Sequence, residues 1–124
     1  MGHLYADIKV KGNKATKELK QVLVDTGATF TVLPENLLQE IGAWGPISKM
    51  EIGLGDGRKV KARAYGLVVE MEEVEAPAIS ITFEGAQAAI GVETLEAIGL
   101  RLNTATGKLE FTRPKGVAYF YARK

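Results

Sequence analysis

Only one acid in this chain stands where an acid could do chemistry. Asp25 follows Val22-Leu23-Val24 and precedes Thr26-Gly27. The three apolar residues read as a strand end buried on both faces, and the glycine reads as a turn. A carboxylate placed there is held rigidly and partly out of water, where burial disfavours the charged form. Such a placement serves a group that must exchange protons. The rest of the inventory narrows the chemistry further. The chain has no cysteine, which excludes thiolate nucleophiles, thiolate metal sites and disulfides. Its one histidine, His3, sits in Met1-Gly2-His3, a run compatible with a cloning remnant. The aspartates are Asp7, Asp25 and Asp56, and only Asp25 has the buried-strand context. No metal and no cofactor is expected. The triplet by itself is a short match that ordinary turns also produce.

Its surroundings are more specific. The stretch Val22-Leu23-Val24-Asp25-Thr26-Gly27-Ala28-Thr29-Phe30-Thr31-Val32-Leu33 resembles the active-site segment of the retropepsins, the retroviral-type aspartic proteases. In that family a second apolar-apolar-Gly element comes later and runs beside the first. Ala89-Ile90-Gly91 matches it, and Val92-Glu93-Thr94-Leu95 continues as the family's helix would. Between the two lies a glycine-rich hairpin, the flap, which Lys49-Met50-Glu51-Ile52-Gly53-Leu54-Gly55-Asp56-Gly57-Arg58-Lys59-Val60-Lys61 resembles. Three elements in the right order carry more weight than any one of them.

The resemblance implies an aspartic endopeptidase. Two carboxylates share one proton: one acts as general base on water, the other donates to the peptide carbonyl. The pair titrates as a unit. A second Asp-Thr-Gly is absent, so the partner carboxylate would come from Asp25 of a second copy in a symmetric homodimer. By the same resemblance Thr26 braces the two loops across the dimer, and Gly27 lets substrate approach its backbone. Ala28, Gly53, Leu54, Gly55 and Ile90 are the implied substrate-binding residues, with the flap glycines giving mobility. Leu23, Val32, Ile52, Leu54, Ile79 and Ile90 are candidates for side-chain pockets, though each alone also suits plain core. Pepsin-type enzymes carry Ser or Thr where this chain has Ala28, a hydroxyl that hydrogen-bonds the catalytic carboxylate. Ala28 cannot, which implies an activity optimum nearer weakly acidic to neutral pH than pepsin's. Two other readings stay open. One is a non-catalytic module of the same fold that dimerises or binds peptides. The other is a different hydrolase pairing Asp25 with Glu93 or Glu110.

The chain around these residues reads as mainly β and as one domain over 1–124. The resemblance makes it a retropepsin-like closed β-barrel half with one or two short helices. Strands are expected at 4–10, 17–24, 31–33, 50–54, 59–65, 66–75, 78–83 and 88–91. A hairpin is expected from 100–102 and 108–111, flanking Thr106-Gly107. Helices are expected at 34–42, opened by Pro34 and closed by Gly42, and at 92–98, closed by Gly99. Trp44 and Pro46 read as loop, with Trp44 packing near the helix end. The apolar tail at 117–121 reads as a strand for the dimer's terminal sheet or a helper strand.

The bulk properties fit. Sixteen basic and fifteen acidic residues leave a net charge of +1, without the basic excess of a nucleic-acid surface. The basic runs at 58–63 and 113–115 read as solvated faces. No apolar run reaches membrane-span length, so the expected location is the cytoplasm, and the expected partners are a second copy and a peptide or protein substrate.

Overall fold

Short apolar stretches that alternate in face build this chain into a closed sheet. The computed structural model describes residues 3–119. In order these form β1 (Leu4–Lys11), β2 (Thr16–Val24), β3 (Thr31–Val32), α1 (Glu35–Ile41), β4 (Trp44–Gly53) and β5 (Lys59–Met71). There follow β6 (Val74–Thr82), β7 (Ala89–Ile90), α2 (Val92–Ile98), β8 (Leu100–Asn103) and β9 (Lys108–Phe111). The fold is mainly β. Hydrogen bonding runs β1-β2-β7-β3-β6-β5, and β5 returns to β1 through Lys9↔Glu70, Val10↔Val69 and Lys11↔Val68. That ring leaves no open edge, while β4 hangs outside it on β5. β8 and β9 form a separate two-stranded sheet.

Period-two burial fixes which face looks inward. Along β1, Ile8 and Val10 are buried while Lys9 and Lys11 are exposed. Both helices add residues three apart to the core, Leu38 and Ile41 from α1 and Leu95 and Ile98 from α2. Each large apolar side chain buried this way contributes roughly 1.5–3 kcal/mol. Gly42 (φ 71°) and Gly99 (φ 95°) end the helices in the left-handed region, where a glycine costs least. The expected helix spans, caps and β8–β9 hairpin are found.

Several strand boundaries differ from the sequence reading. Trp44 and Pro46 lie within β4, not in a loop, because β5 is long enough to pair back to them, with Trp44↔Gly66. Trp44 is 48% exposed and is no packing residue. The stretches 59–65 and 66–75 are not two strands. Most of both belongs to β5, whose inward residues change phase between Ala64 and Tyr65; that slip and Gly66 look like a boundary. β6 pairs across the slip from Arg63↔Thr82 to Met71↔Val74 and keeps the strand whole. The turn instead falls at Glu72 (φ 52°) and Glu73 (φ 66°), left-handed residues of a type that Asn-Gly usually supplies. Of the expected tail strand, residues 117–119 form no strand and 120–121 lie outside the described residues. Arg113 is not merely solvated. Its guanidinium donates to the Glu96 (3.1 Å) and Ala97 (2.9 Å) carbonyls at the end of α2, a cation where the helix dipole favours one. Among the described residues no helix is long and apolar enough to cross a membrane.

Candidate active site

Asp25 is positioned by a strand that slips between two others. β2 ends at Val24, the chain loops through 25–30, and β3 begins at Thr31. β7 lies between β2 and β3, parallel to β2 (Leu23↔Ala89, Val24↔Ile90) and antiparallel to β3 (Val32↔Ala89). The second apolar-apolar-Gly element thus runs beside the first. The Asp25 amide donates to the Ile90 carbonyl at 2.9 Å, extending the parallel ladder one step.

The loop is then fastened to α2. The first amides of a helix have no partner within it. Here Val92 donates to the Ala28 carbonyl (2.8 Å) and Glu93 to the Thr29 carbonyl (2.9 Å). Beneath the loop, the buried hydroxyls of Thr31 and Thr94 meet at 2.6 Å, and Thr31 Oγ1 also accepts from the Gly91 amide at 3.1 Å. Gly91 is glycine for space, not for its backbone angles. Its φ is −93°, but a Cβ there would sit 2.4 Å from the Phe30 carbonyl carbon and 2.5 Å from its oxygen. Sequence reasoning saw Thr31 and Thr94 only as strand and helix residues; their pairing is visible only once β7 is placed.

Asp25 itself faces solvent in the single chain, as do Thr26 and Gly27. The strand end buries its neighbour Val24, not the acid. The partial desolvation expected of Asp25 is therefore not made by one copy. Its Oδ1 accepts from the Gly27 amide at 3.0 Å, which orients the carboxylate without covering it. The Thr26 hydroxyl makes no hydrogen bond among the described residues.

Asp25 separates two depressions. One is a cleft of about 630 Å³ between the loop and the β4–β5 hairpin. The loop side gives Asp25, Gly27, Ala28, Thr29 and Phe30; the hairpin side gives Met50, Ile52, Gly53, Leu54 and Gly55; Val32, Ile81 and Phe83 form the floor. The expected substrate-binding residues Ala28, Gly53, Leu54 and Gly55 meet here. Ile90 does not; it is fully buried and serves through its backbone carbonyl. Of the pocket candidates, Val32, Ile52 and Leu54 line the cleft, whereas Leu23 and Ile79 do not. Met50, Ile81 and Phe83 were missed, since alternation alone does not tell cleft from core. The second depression, about 400 Å³, has Asp25, Thr26, Leu4 and Val24 on one side and Leu102, Thr104 and Gly107 of the β8–β9 hairpin on the other.

Among the described residues the hairpin tip is hydrogen-bonded only to itself. Leu54 donates to the Arg58 carbonyl (2.7 Å) and Gly57 to that of Leu54 (3.0 Å). The Asp56 carboxylate accepts from the Arg58 amide (3.0 Å) and guanidinium (2.7 Å), which hold its pKa below the usual 3.8. At Gly53 and Gly55 a Cβ would meet nothing within 4 Å, and neither has positive φ. The chain alone gives no steric reason for glycine at either. Lower on the hairpin, Glu35 of α1 takes Arg63 as an ion pair and accepts from the Tyr65 hydroxyl at 3.1 Å, anchoring the strand's base. Burial, then the bond to Glu35, raise the Tyr65 pKa above 10.0.

Neither alternative carboxylate shares a cleft with Asp25. Glu110 is tied to Arg101 (2.7 Å) and Asn103 (3.1 Å), and Glu93 borders a separate depression near Trp44. Among the described residues no three His, Asp or Glu side chains gather as a metal site. No protein-family model matches the chain, and no curated protein matches it.

Proposed function

We propose that the chain is a retropepsin-like aspartic endopeptidase that acts as a homodimer. One observation carries the reading. A carboxylate fixed by a β2–β7 ladder opens into a cleft whose opposite wall is a glycine-rich hairpin. Gly53 and Gly55 support it. Glycines with no steric demand cost chain entropy, and a substrate backbone that must approach closely supplies the missing reason. An extended peptide in this cleft would bind as an added strand, its main chain on the hairpin and its side chains over Val32, Ile52 and Ile81.

The chemistry needs a second acid. In this reading Asp25 of one copy is the general base on water, and Asp25 of the other keeps the shared proton and donates it to the peptide carbonyl. The exposure of Asp25 in one chain is what such a pair requires, since the second copy supplies the burial. In this reading Thr26, exposed beside it, braces that contact. The test is an Asp25→Asn variant assayed on a peptide library. Loss of cleavage with dimer mass retained supports the assignment; cleavage at the parent rate sinks it.

A further inference from the structure

We propose that the outer face of the β4–β5 hairpin is an exosite for an acidic segment of the substrate, next to the part held in the cleft. The inference rests on the endopeptidase reading and names the class of substrate that would be cut. The cross-strand pairs Met50↔Ala62 and Ile52↔Val60 lie on the face turned to the cleft and core. Lys49↔Arg63, Glu51↔Lys61 and Gly53↔Lys59 alternate with them and lie on the other face, where all six residues are exposed. Positive charge is concentrated here. Of sixteen basic and fifteen acidic residues, five basic and two acidic fall at 49–63. This segment is therefore positive, while the rest of the chain, with eleven and thirteen, is negative.

The lysines of this face lack counter-ions. Lys9, Lys11, Lys17, Lys20 and Lys115 each hold an acid. Lys49, Lys59 and Lys61 hold none among the described residues. Lys49 also stands opposite Arg63, and like charges directly opposed destabilise a strand pair. Glu35 takes up the Arg63 charge and leaves that of Lys49 unmet. An anionic ligand would relieve it. A depression of about 640 Å³ opens beside Lys49, Lys61 and Arg63, and it shares Met50 and Phe83 with the Asp25 cleft. Glu51 and Glu84 border it too. With Arg63 neutralised, three lysines still face these two acids. A substrate chain that leaves the cleft between Met50 and Phe83 would run onto the lysines. The face has no aromatic side chain to stack a base, and the whole chain has no basic excess, which favours a peptide over a nucleic acid. In a symmetric dimer each copy presents one such face, so an acidic stretch on either side of the scissile bond would serve. The basic run at 58–63 thereby gains a role beyond a solvated face.

The test compares a library peptide carrying a glutamate-rich tail with the same peptide carrying a glutamine-rich tail. For the parent chain the glutamate tail should raise kcat/KM at least tenfold at low salt. That advantage should shrink in ~0.5 M NaCl, because salt screens exposed charges. In a triple variant, Lys49→Glu with Lys59→Glu and Lys61→Glu, the ratio between the two tails should fall below one. A general loss of hairpin function cancels in that ratio. Binding of the labelled tails alone, read by fluorescence anisotropy, should show the same preference and the same loss. If the parent cleaves and binds both tails equally, or if the glutamate advantage survives in the triple variant, the exosite is wrong and the endopeptidase reading stands. If no peptide is cleaved while the glutamate tail binds the parent and not the variant, the face stands and the endopeptidase reading falls. If a single-stranded oligonucleotide binds the parent and not the variant while the glutamate tail shows no advantage, the face serves nucleic acid and the proposal is overturned.

Discussion

The loop carrying Asp25 and the tip of the β4–β5 hairpin face each other across one cleft, yet they are held in opposite ways. The loop is tied to the rest of the fold by the Asp25, Val92 and Glu93 amide bonds and by the buried Thr31–Thr94–Gly91 cluster. Among the described residues the tip bonds only to itself, through Leu54, Asp56, Gly57 and Arg58. The contrast assigns precision to the acid and adaptability to the cover. Local stability follows the number of ties into the core, and moving parts come from the weakly tied end.

Substitutions can break that contrast, and the largest effect should come from the loop's support. Gly91→Ala drives a methyl into the Phe30 backbone, and a denaturation curve should show a loss of about 3 kcal/mol or an insoluble chain. A loss below about 0.5 kcal/mol would mean that the loop moves aside easily. Thr31→Val should cost about 1–3 kcal/mol, because it strands the Gly91 amide and the Thr94 hydroxyl in a dry interior. By contrast, Thr82→Val removes a buried hydroxyl that has no partner among the described residues, and should be neutral or stabilising.

The hairpin should respond the other way. Gly55→Ala meets no obstacle, so stability should stay or rise by about 0.4–1 kcal/mol while peptide cleavage falls. Unchanged cleavage would remove the functional reason offered for that glycine. The smallest effect is one of pH. The Asp56 pKa lies below its unfolded value, so its contribution is complete above the unfolded value and fades as pH falls through the folded one. The tip clasp should therefore persist above about pH 4, and the protection of the Leu54 and Gly57 amides relative to their intrinsic exchange rates should not change between there and neutrality.

The two regions also differ in how well the sequence revealed them. The loop's ladder was legible, because Val22-Leu23-Val24 and Ala89-Ile90 are short apolar ends beside glycines, and both helices carry plain stop residues in Gly42 and Gly99. The tip was legible from Gly55-Asp56-Gly57. What hid the rest was local chemistry overruled by distant pairing. Glu72 and Glu73 turn left-handed because β5 and β6 pair on either side of them, not because glutamate favours it. Installing Asn-Gly there should stabilise the fold by about 1 kcal/mol. Ile90 looked like a pocket residue but contributes a carbonyl, and Asp25 looked partly desolvated because the strand before it ends in buried Val24.

The shared-carboxylate claim is tested most directly by mixing. Asp25→Asn chains are titrated into parent chains at constant total protein, under conditions where subunits exchange, and peptide cleavage is followed. If each site needs both Asp25 carboxylates, activity falls with the square of the parent fraction. A linear fall would show that one Asp25 per site is enough and would contradict the account.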